Sequence, residues 1–214
     1  GVFLFFFKNV ENVQEDSLKE GNIRNLKSIV LQPRFLQAIT AAAFAYAVMS
    51  FLMTATPLSM HVMENMSLKE TGLVLQFHVV AMFLPSLITG NLIKKYGHSA
   101  IIYGGVLFFF ITVLLSLFEQ TYLNYMLSLI FLGLGWNFLF ISGTSLVVLT
   151  YNKEEKFKVQ GINDLIVFST MALASLSAGI LLNSIGWKMM NLICIPFLVL
   201  IILVSFMADK KSVS

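Results

Sequence analysis

Long apolar runs, separated by short polar connectors, make up most of this sequence. A bilayer core of about 30 Å is crossed by about 20 helical residues, and charges inside such a run are costly. Six runs meet this requirement, and each predicts a transmembrane helix. The predicted spans cover residues 35–60, 71–93, 99–118, 122–150, 159–185 and 189–208. The pattern therefore predicts an all-α membrane protein with six spans.

Composition supports this interpretation. The chain is 57% hydrophobic and 12% charged, and its mean hydropathy is +0.84, whereas a soluble domain carries about 25% charged residues. A soluble fold of 214 residues would need a core larger than the relation between surface and volume allows. A soluble globular protein is therefore excluded, and the single Cys194, inside an apolar run, is expected to pack as a small hydrophobe.

The positive charges indicate the orientation, because Lys and Arg collect on the cytoplasmic side of a membrane. Twelve of them fall on one side of the predicted spans, and only Lys69 and Lys188 fall on the other. The twelve are Lys8, Lys19, Arg24, Lys27, Arg34, Lys94, Lys95, Lys153, Lys156, Lys158, Lys210 and Lys211. Both ends of the six-span set are therefore predicted to be cytoplasmic, with residues 209–214 as a tail. Frequent Phe, Lys and Asn suggest a low-GC bacterium as the source, and the predicted location is a bacterial cytoplasmic membrane.

An internal repeat is suggested by two pairs of glycines. Gly90 and Gly97 enclose the sequence NLIKKY after the second span, and Gly179 and Gly186 enclose ILLNSI after the fifth, at an offset of 89 residues. Three spans separate the two turns, so they lie on opposite sides of the membrane. This arrangement is typical of an inverted repeat of three helices plus three.

The turn GNLIKKYG resembles the loop motif of the major facilitator superfamily, G-x-L-x-D-R-x-G-R-[RK]. Gly90, Leu92, Lys95 and Gly97 fit the motif, whereas Lys94 and His98 depart from it. The segments GLGWNFLFISGTSLVV and VQGINDLIVFSTMALASLSAG look like helices ten and eleven of bacterial efflux-type members. With the six spans and the polar segment before them, the chain resembles the C-terminal half of that family, helices seven to twelve.

The resemblance implies how the ends of the chain are organised. Residues 1–7, GVFLFFF, would be the end of helix six, and residues 8–34 would be the cytoplasmic loop between the two halves. The six spans, residues 35–208, would form half of a pathway that works by alternating access. The partner would be an N-terminal half outside this chain, or a second copy if this is a half-size transporter acting as a homodimer.

Two ionisable residues inside predicted spans are candidates for proton coupling, because an intramembrane charge is functional by default. Asp164 lies six residues past Lys158, about 9 Å inside the cytoplasmic boundary. A structural role, in which the helix dipole and nearby lysines stabilise its charge, is the alternative. His78 lies about 10 Å inside the opposite boundary, and imidazole titrates near physiological pH. Its alternative is a neutral histidine bonded to a neighbouring helix.

Five residues are candidates for a substrate cavity. Tyr46, Ser50 and Thr54 recur at steps of four and form a polar stripe on the first span, while Trp136 and Asn137 lie near the middle of the fourth. In the resembled fold these two helices line the central cavity, and an aromatic ring with hydrogen-bonding groups suits an amphipathic substrate. Helix packing through small and polar residues is the alternative.

The sequence carries no pattern for other chemistry. Its three histidines and one cysteine lack metal-ligand spacing, no phosphate-binding loop that would indicate an ATP-driven pump is present, and the positive charge forms no nucleic-acid patch. We therefore expect no cofactor and no metal. The leading hypothesis is a proton-coupled efflux transporter for a small organic compound. The alternative is a non-transporting assembly or regulatory subunit, and an enzyme is disfavoured because Asp164 and His78 lie near opposite faces.

Overall fold

The computed structural model describes residues 24–213, with the backbone alone for residues 212 and 213. The predictions for residues 1–7 and 8–23 lie outside the described residues. The helices are α1 (Leu26–Val30), α2 (Pro33–Pro57), α3 (Leu68–Phe83), α4 (Ser86–Tyr96), α5 (His98–Ser116), α6 (Tyr122–Val148), α7 (Lys156–Ile193) and α8 (Ile195–Val213). A π-helical turn, Leu58–Met63, extends α2, and a 3-10 turn, Lys153–Glu155, precedes α7.

The last apolar helical run is far too long for a single crossing. Five runs in the described part of the chain are long and apolar enough to cross a membrane, and the fifth, Lys153–Lys211, has 59 residues. At 1.5 Å per residue such a helix would be about 88 Å long, against a bilayer core of about 30 Å. The run is broken at Gly186, where φ is 74° and ψ is 170°.

Contacts on either side of this break show that the chain reverses. Before it, Glu155 binds Arg24 at the end of the bundle where α2 begins. At the break, the ring of Trp187 lies 5.2 Å from that of Tyr125, at the other end of the bundle. After it, the carboxylate of Asp209 returns to Arg34, at 2.9 Å. The described residues 24–213 therefore cross six times, which agrees with the predicted all-α six-helix fold.

The inverted repeat is visible in the backbone. The starts of α2 and α6 at Pro33 and Tyr122 are 89 residues apart, and so are the turn glycines Gly97 and Gly186. Gly97 has φ 84° and ψ 162°, nearly the values of Gly186. This region of backbone space is open essentially to glycine alone. The same glycine turn therefore joins the second helix to the third in both repeats.

Helix α6 lies at the centre of the bundle, where its glycines let neighbouring backbones approach. A Cβ on Gly133 would lie 2.7 Å from the carbonyl oxygen of His78 on α3, and one on Gly143 would lie 2.7 Å from that of Ala38 on α2. Gly135 faces Gly105 of α5 in the same way. Small residues at such crossings are typical of membrane helices, whose association depends on close packing.

The second span is interrupted at Pro85, between α3 and α4. Proline has no N–H to donate, so the carbonyl of Ala81, four residues earlier, loses its helical partner and the hydrogen-bond pattern is interrupted here. The Nδ2 of Asn137 on α6 donates to the carbonyl oxygen of Met82 at 2.7 Å and to Ser86 Oγ at 3.0 Å. Thr89 Oγ1 donates to Asn137 Oδ1 at 2.6 Å. A side chain from α6 therefore fills the break.

Ion pairs connect the segments at the end of the bundle that carries Lys94, Lys95, Lys153, Lys156, Lys210 and Lys211, which we call the lysine-rich end. The backbone N and Nε of Arg24 donate to Glu155 Oε1 at 3.0 and 2.9 Å, and its Nη2 donates to Oε2 at 2.7 Å. These hydrogen bonds raise the pKa of the Arg24 guanidinium, so the pair stays charged at physiological pH. The segment before α1 is thereby fixed to the connector between α6 and α7.

Two segments outside the predicted spans contain helix. Part of the predicted loop at residues 8–34 forms α1, which Asn25 caps by accepting from Lys27 N at 3.0 Å. Helix α2 begins two residues earlier than expected because Pro33 occupies its first turn, a position that suits proline. The predicted tail continues α8 through Val213.

Candidate functional site

Five aromatic rings from four helices meet near the middle of the bundle, and we call them the central aromatic cluster. They are Tyr46 of α2, Phe83 of α3, Trp136 and Phe140 of α6, and Phe168 of α7. Tyr46 and Trp136 lie near the middle of their helices, and Phe83 lies at the break in the second span. The cluster is therefore placed at about mid-membrane depth.

The cluster has a packed side and an open side. Trp136 and Phe140 stack with centroids 4.9 Å apart and planes 13° apart, and the edge of Tyr46 contacts both rings at 5.4 and 5.1 Å. Phe83 and Phe168 form the open side, with 58% and 50% of their surfaces exposed. The rings of Phe83 and Phe168 are therefore accessible to a flat molecule in the described structure.

The indole of Trp136 retains an unused donor. Trp136 is only 5% exposed, yet its Nε1 has no hydrogen-bond partner in the described structure. Buried donors of this kind are usually paired. The unpaired N–H belongs to a ring of the central aromatic cluster and is itself buried in the described structure.

Two hydroxyl groups face each other along the contact of α2 with α7. Thr54 Oγ1 and Ser175 Oγ are 3.0 Å apart, Thr54 is exposed and Ser175 is half-buried. Ser50, also half-buried, lies between Thr54 and Tyr46 on the same face of α2. The predicted polar stripe on α2 therefore runs from the central aromatic cluster to this pair of hydroxyls.

Asp164 lies on the open face of α7. It is exposed, and its Oδ1 accepts a hydrogen bond from Asn163 Nδ2 at 3.0 Å. Phe168 follows Asp164 by four residues and Ser175 follows Phe168 by seven, so the three side chains share one helical face. A carboxylate thus lies one helical turn from the central aromatic cluster.

His78 occupies a different environment from Asp164. Its side chain is fully buried between α3 and α6, where Nδ1 lies 2.7 Å from the carbonyl oxygen of Leu129. Nε2 is buried and has no partner in the described structure. The two predicted proton-coupling residues are therefore not brought together, and only Asp164 lies on an open face.

The five predicted cavity residues separate into two groups. One group consists of the central aromatic cluster and the polar stripe that continues from it on α2, with Tyr46, Trp136, Ser50 and Thr54. The other is Asn137, which is fully buried and hydrogen-bonds at the break beside Pro85. The cluster also contains residues that the sequence analysis missed. Phe140 follows Trp136 by four residues and Phe168 follows Asp164 by four, a spacing that indicates a shared helical face.

The loop motif lies at the lysine-rich end of the second span. Gly90 and Leu92 lie in the last turns of α4, Gly97 makes the turn into α5, and Lys94 and Lys95 are exposed. A Cβ on Gly90 would meet no atom within 4 Å. The motif is thus at the surface of the described structure.

Among the described residues, no group of His, Cys, Asp or Glu could hold a metal ion.

An apolar groove of about 270 Å³ lies on another side of α2, between α7 and α8. Phe44, Val48, Phe51 and Phe197 contribute to its lining. Its hydroxyl groups are already used, because Thr170 and Ser177 donate to carbonyl oxygens of their own helix. The groove therefore offers no free hydroxyl donor, and it is a poorer substrate site than the central aromatic cluster.

Comparisons with known proteins agree with the six-span, all-α fold. The family model of the Major Facilitator Superfamily matches residues 38–214. The riboflavin transporter RfnT of Brucella anthropi is 39% identical over 179 residues, covering 84% of this chain and 45% of that protein. YdeG of Bacillus subtilis, an uncharacterized MFS-type transporter, is 27% identical over 192 residues, covering 89% of this chain and 44% of that protein. YddS of Bacillus subtilis, also an uncharacterized MFS-type transporter, is 32% identical over 165 residues. The chain spans less than half the length of each of these relatives.

Proposed function

The chain belongs to the major facilitator superfamily, and from this premise we propose that it forms the C-terminal half of a secondary transporter for a flat, conjugated ring compound such as riboflavin. One observation carries the proposal, namely the central aromatic cluster with its open side. Rings that meet at mid-membrane depth suit a flat substrate, because stacking adds to the burial of apolar surface. Transporters of this kind bind their substrates near the midplane, between repeats.

The similarity to a riboflavin transporter supports this substrate class. The relative named for riboflavin matches 84% of this chain, including the segments that carry all five rings of the cluster. Riboflavin is a fused, planar ring system with carbonyl groups and ring nitrogens at its edge. The faces of such a ring system would stack on the exposed rings of Phe83 and Phe168, whereas an aliphatic substrate would gain burial but no stacking.

Proton coupling and efflux are part of the proposal. Asp164 is the candidate coupling group, because its carboxylate lies on the open face of α7 next to Phe168.

The apolar surface of α3 and α4 around Leu84 and Leu87 is also open in this chain. We propose that an N-terminal half, or a second copy of the chain, covers these faces and completes the pathway in a bacterial cytoplasmic membrane.

The substrate is tested with the natural full-length protein reconstituted in vesicles. We expect riboflavin to bind and to be transported, and Phe168→Ala to weaken binding by about fivefold to tenfold, the equivalent of 1.0–1.4 kcal/mol. Phe157→Ala is the matched control, because Phe157 is also on α7 but is 86% exposed and outside the cluster. If the unmodified protein neither binds nor transports riboflavin, the proposed substrate class is wrong.

The coupling is tested by imposing a pH gradient on the same vesicles. An exchanger moves substrate against the proton flow, so a vesicle with an acidic lumen should accumulate riboflavin. A protein that carries protons and substrate together would accumulate it from an acidic outside medium instead. Accumulation in neither gradient would exclude coupling to protons.

A further inference from the structure

The hydroxyl pair Thr54 and Ser175 is exposed, whereas other hydroxyl bonds between the described helices, such as that of Ser59 with Tyr125, are buried or partly buried. Most Ser and Thr side chains in these helices donate to a carbonyl of their own helix. Examples are Thr56 to Leu52, Thr144 to Phe140, Thr170 to Ile166, Ser177 to Ala174 and Ser184 to Ile180. Thr54 and Ser175 instead bond to each other across two helices, at an exposed position.

This pair has hydrogen-bonding capacity to spare. Each hydroxyl has one donor and two acceptor positions, and the single bond between them uses one donor and one acceptor. One donor and three acceptor positions therefore remain on an exposed part of a membrane-spanning bundle. In lipid such groups would be unsatisfied, so the pair fits a polar or water-filled cavity better than a lipid-facing surface.

The pair lies at a fixed distance from the central aromatic cluster. Tyr46 and Thr54 are eight residues apart on α2, about 12 Å, and Phe168 and Ser175 are seven residues apart on α7, about 10 Å. Both pairs bridge the same two helices, which run in parallel. The rings and the hydroxyls therefore lie about two helical turns apart along the same contact between α2 and α7.

We propose that Thr54 and Ser175 form a second part of the substrate site, which binds a hydroxylated chain attached to the flat ring. This inference rests on the proposed function and narrows it: the substrate is a conjugated ring that carries a polyol side chain. The ring stacks in the central aromatic cluster, and the chain extends toward the end of the bundle opposite to the lysine-rich end. Ser50, between the two levels, faces the point where ring and chain join.

The test compares two compounds that share a ring. Riboflavin carries a ribityl polyol chain, and lumiflavin carries a methyl group in its place. In the natural full-length protein we expect tighter binding of riboflavin than of lumiflavin. The double variant Thr54→Val with Ser175→Ala should weaken riboflavin binding by about tenfold, because about two hydrogen bonds are lost, and should leave lumiflavin binding unchanged.

A control variant, together with the affinities for the two compounds, separates the possible results. Ser177→Ala, two residues from Ser175, removes a hydroxyl that faces the apolar groove, and it should change neither affinity. If the double variant leaves both affinities unchanged, or weakens both equally, the hydroxyl site is overturned while the aromatic site stands. If the unmodified protein binds neither compound, the proposed function fails and the hydroxyl site fails with it.

Discussion

The contact between α5 and α6 and the contact between α2 and α7 are built in opposite ways. Between α5 and α6, Gly105 and Gly135 bring the backbones so close that a Cβ on Gly135 would lie 2.9 Å from the carbonyl oxygen of Gly105. Thr112 Oγ1 donates to the carbonyl oxygen of Ser128 and Ser128 Oγ donates to that of Thr112, both at 3.2 Å. The hydroxyls of Thr112 and Ser128 are both used within the protein at this crossing.

The contact between α2 and α7 leaves its groups accessible. The rings of Tyr46 and Phe168 are 6.0 Å apart, and Thr54 and Ser175 hydrogen-bond to each other while Thr54 remains exposed. The comparison indicates that polar residues in these spans have two uses. Polar residues whose hydrogen bonds are made with neighbouring helices stabilise the fold. Polar residues that keep unused donors or acceptors are available to a ligand.

The strongest test of this comparison inserts a side chain at the packed contact. Gly135→Leu would drive its side chain into Phe109 and the backbone of α5, and a packed core cannot absorb such a volume. We expect no folded protein, measured as the monodisperse fraction in size-exclusion chromatography. Gly72→Leu on α3 is the control, since a Cβ there meets no atom within 4 Å; equal loss in both variants would contradict the comparison.

The next test separates the two ionisable candidates. Asp164→Asn should abolish accumulation driven by a pH gradient while exchange of labelled for unlabelled substrate continues, because the ligand contacts are kept. His78→Asn should retain proton-driven accumulation, since an amide can still donate to the carbonyl oxygen of Leu129. The reverse pattern would assign coupling to the buried histidine instead of the exposed carboxylate.

A smaller effect is expected at the contact between α6 and the break beside Pro85. Asn137→Leu would leave the carbonyl oxygen of Met82 without its side-chain donor, which should lower the free energy of unfolding by about 1–3 kcal/mol. The affinity for riboflavin should not change, because Asn137 is fully buried in this contact. A variant of normal stability with weakened binding would show instead that Asn137 contacts substrate.

The six spans and their repeat were predictable because both depend on patterns that one sequence displays. Apolar length gives each span, and glycine is required wherever the backbone adopts the conformation of Gly97 and Gly186. Helix ends were less predictable, since they depend on local caps such as Asn25.

The candidate site could be predicted only in part. The stripe of Tyr46 and Thr54 was found because it is polar on an apolar helix. Phe83 and Phe140 were missed because the chain has 20 phenylalanines, and only the packing of the helices shows which of them meet. The environments of His78 and Asp164 depend likewise on contacts with other helices, which spacing along one helix does not reveal.

The smallest predicted effect compares single hydroxyls at the two contacts. Thr112→Val keeps the shape of a buried side chain but removes its bond to the carbonyl oxygen of Ser128, so it should lower the free energy of unfolding by about 0.6 kcal/mol, the average for such bonds between membrane helices. Thr54→Val should cost less, because the exposed hydroxyl of Ser175 can bond to water instead. Reversible unfolding in mixed micelles measures both. If Thr54→Val proves the more destabilising of the two, the bond between Thr54 and Ser175 is a structural link between α2 and α7, and the distinction between a closed and an open contact no longer holds.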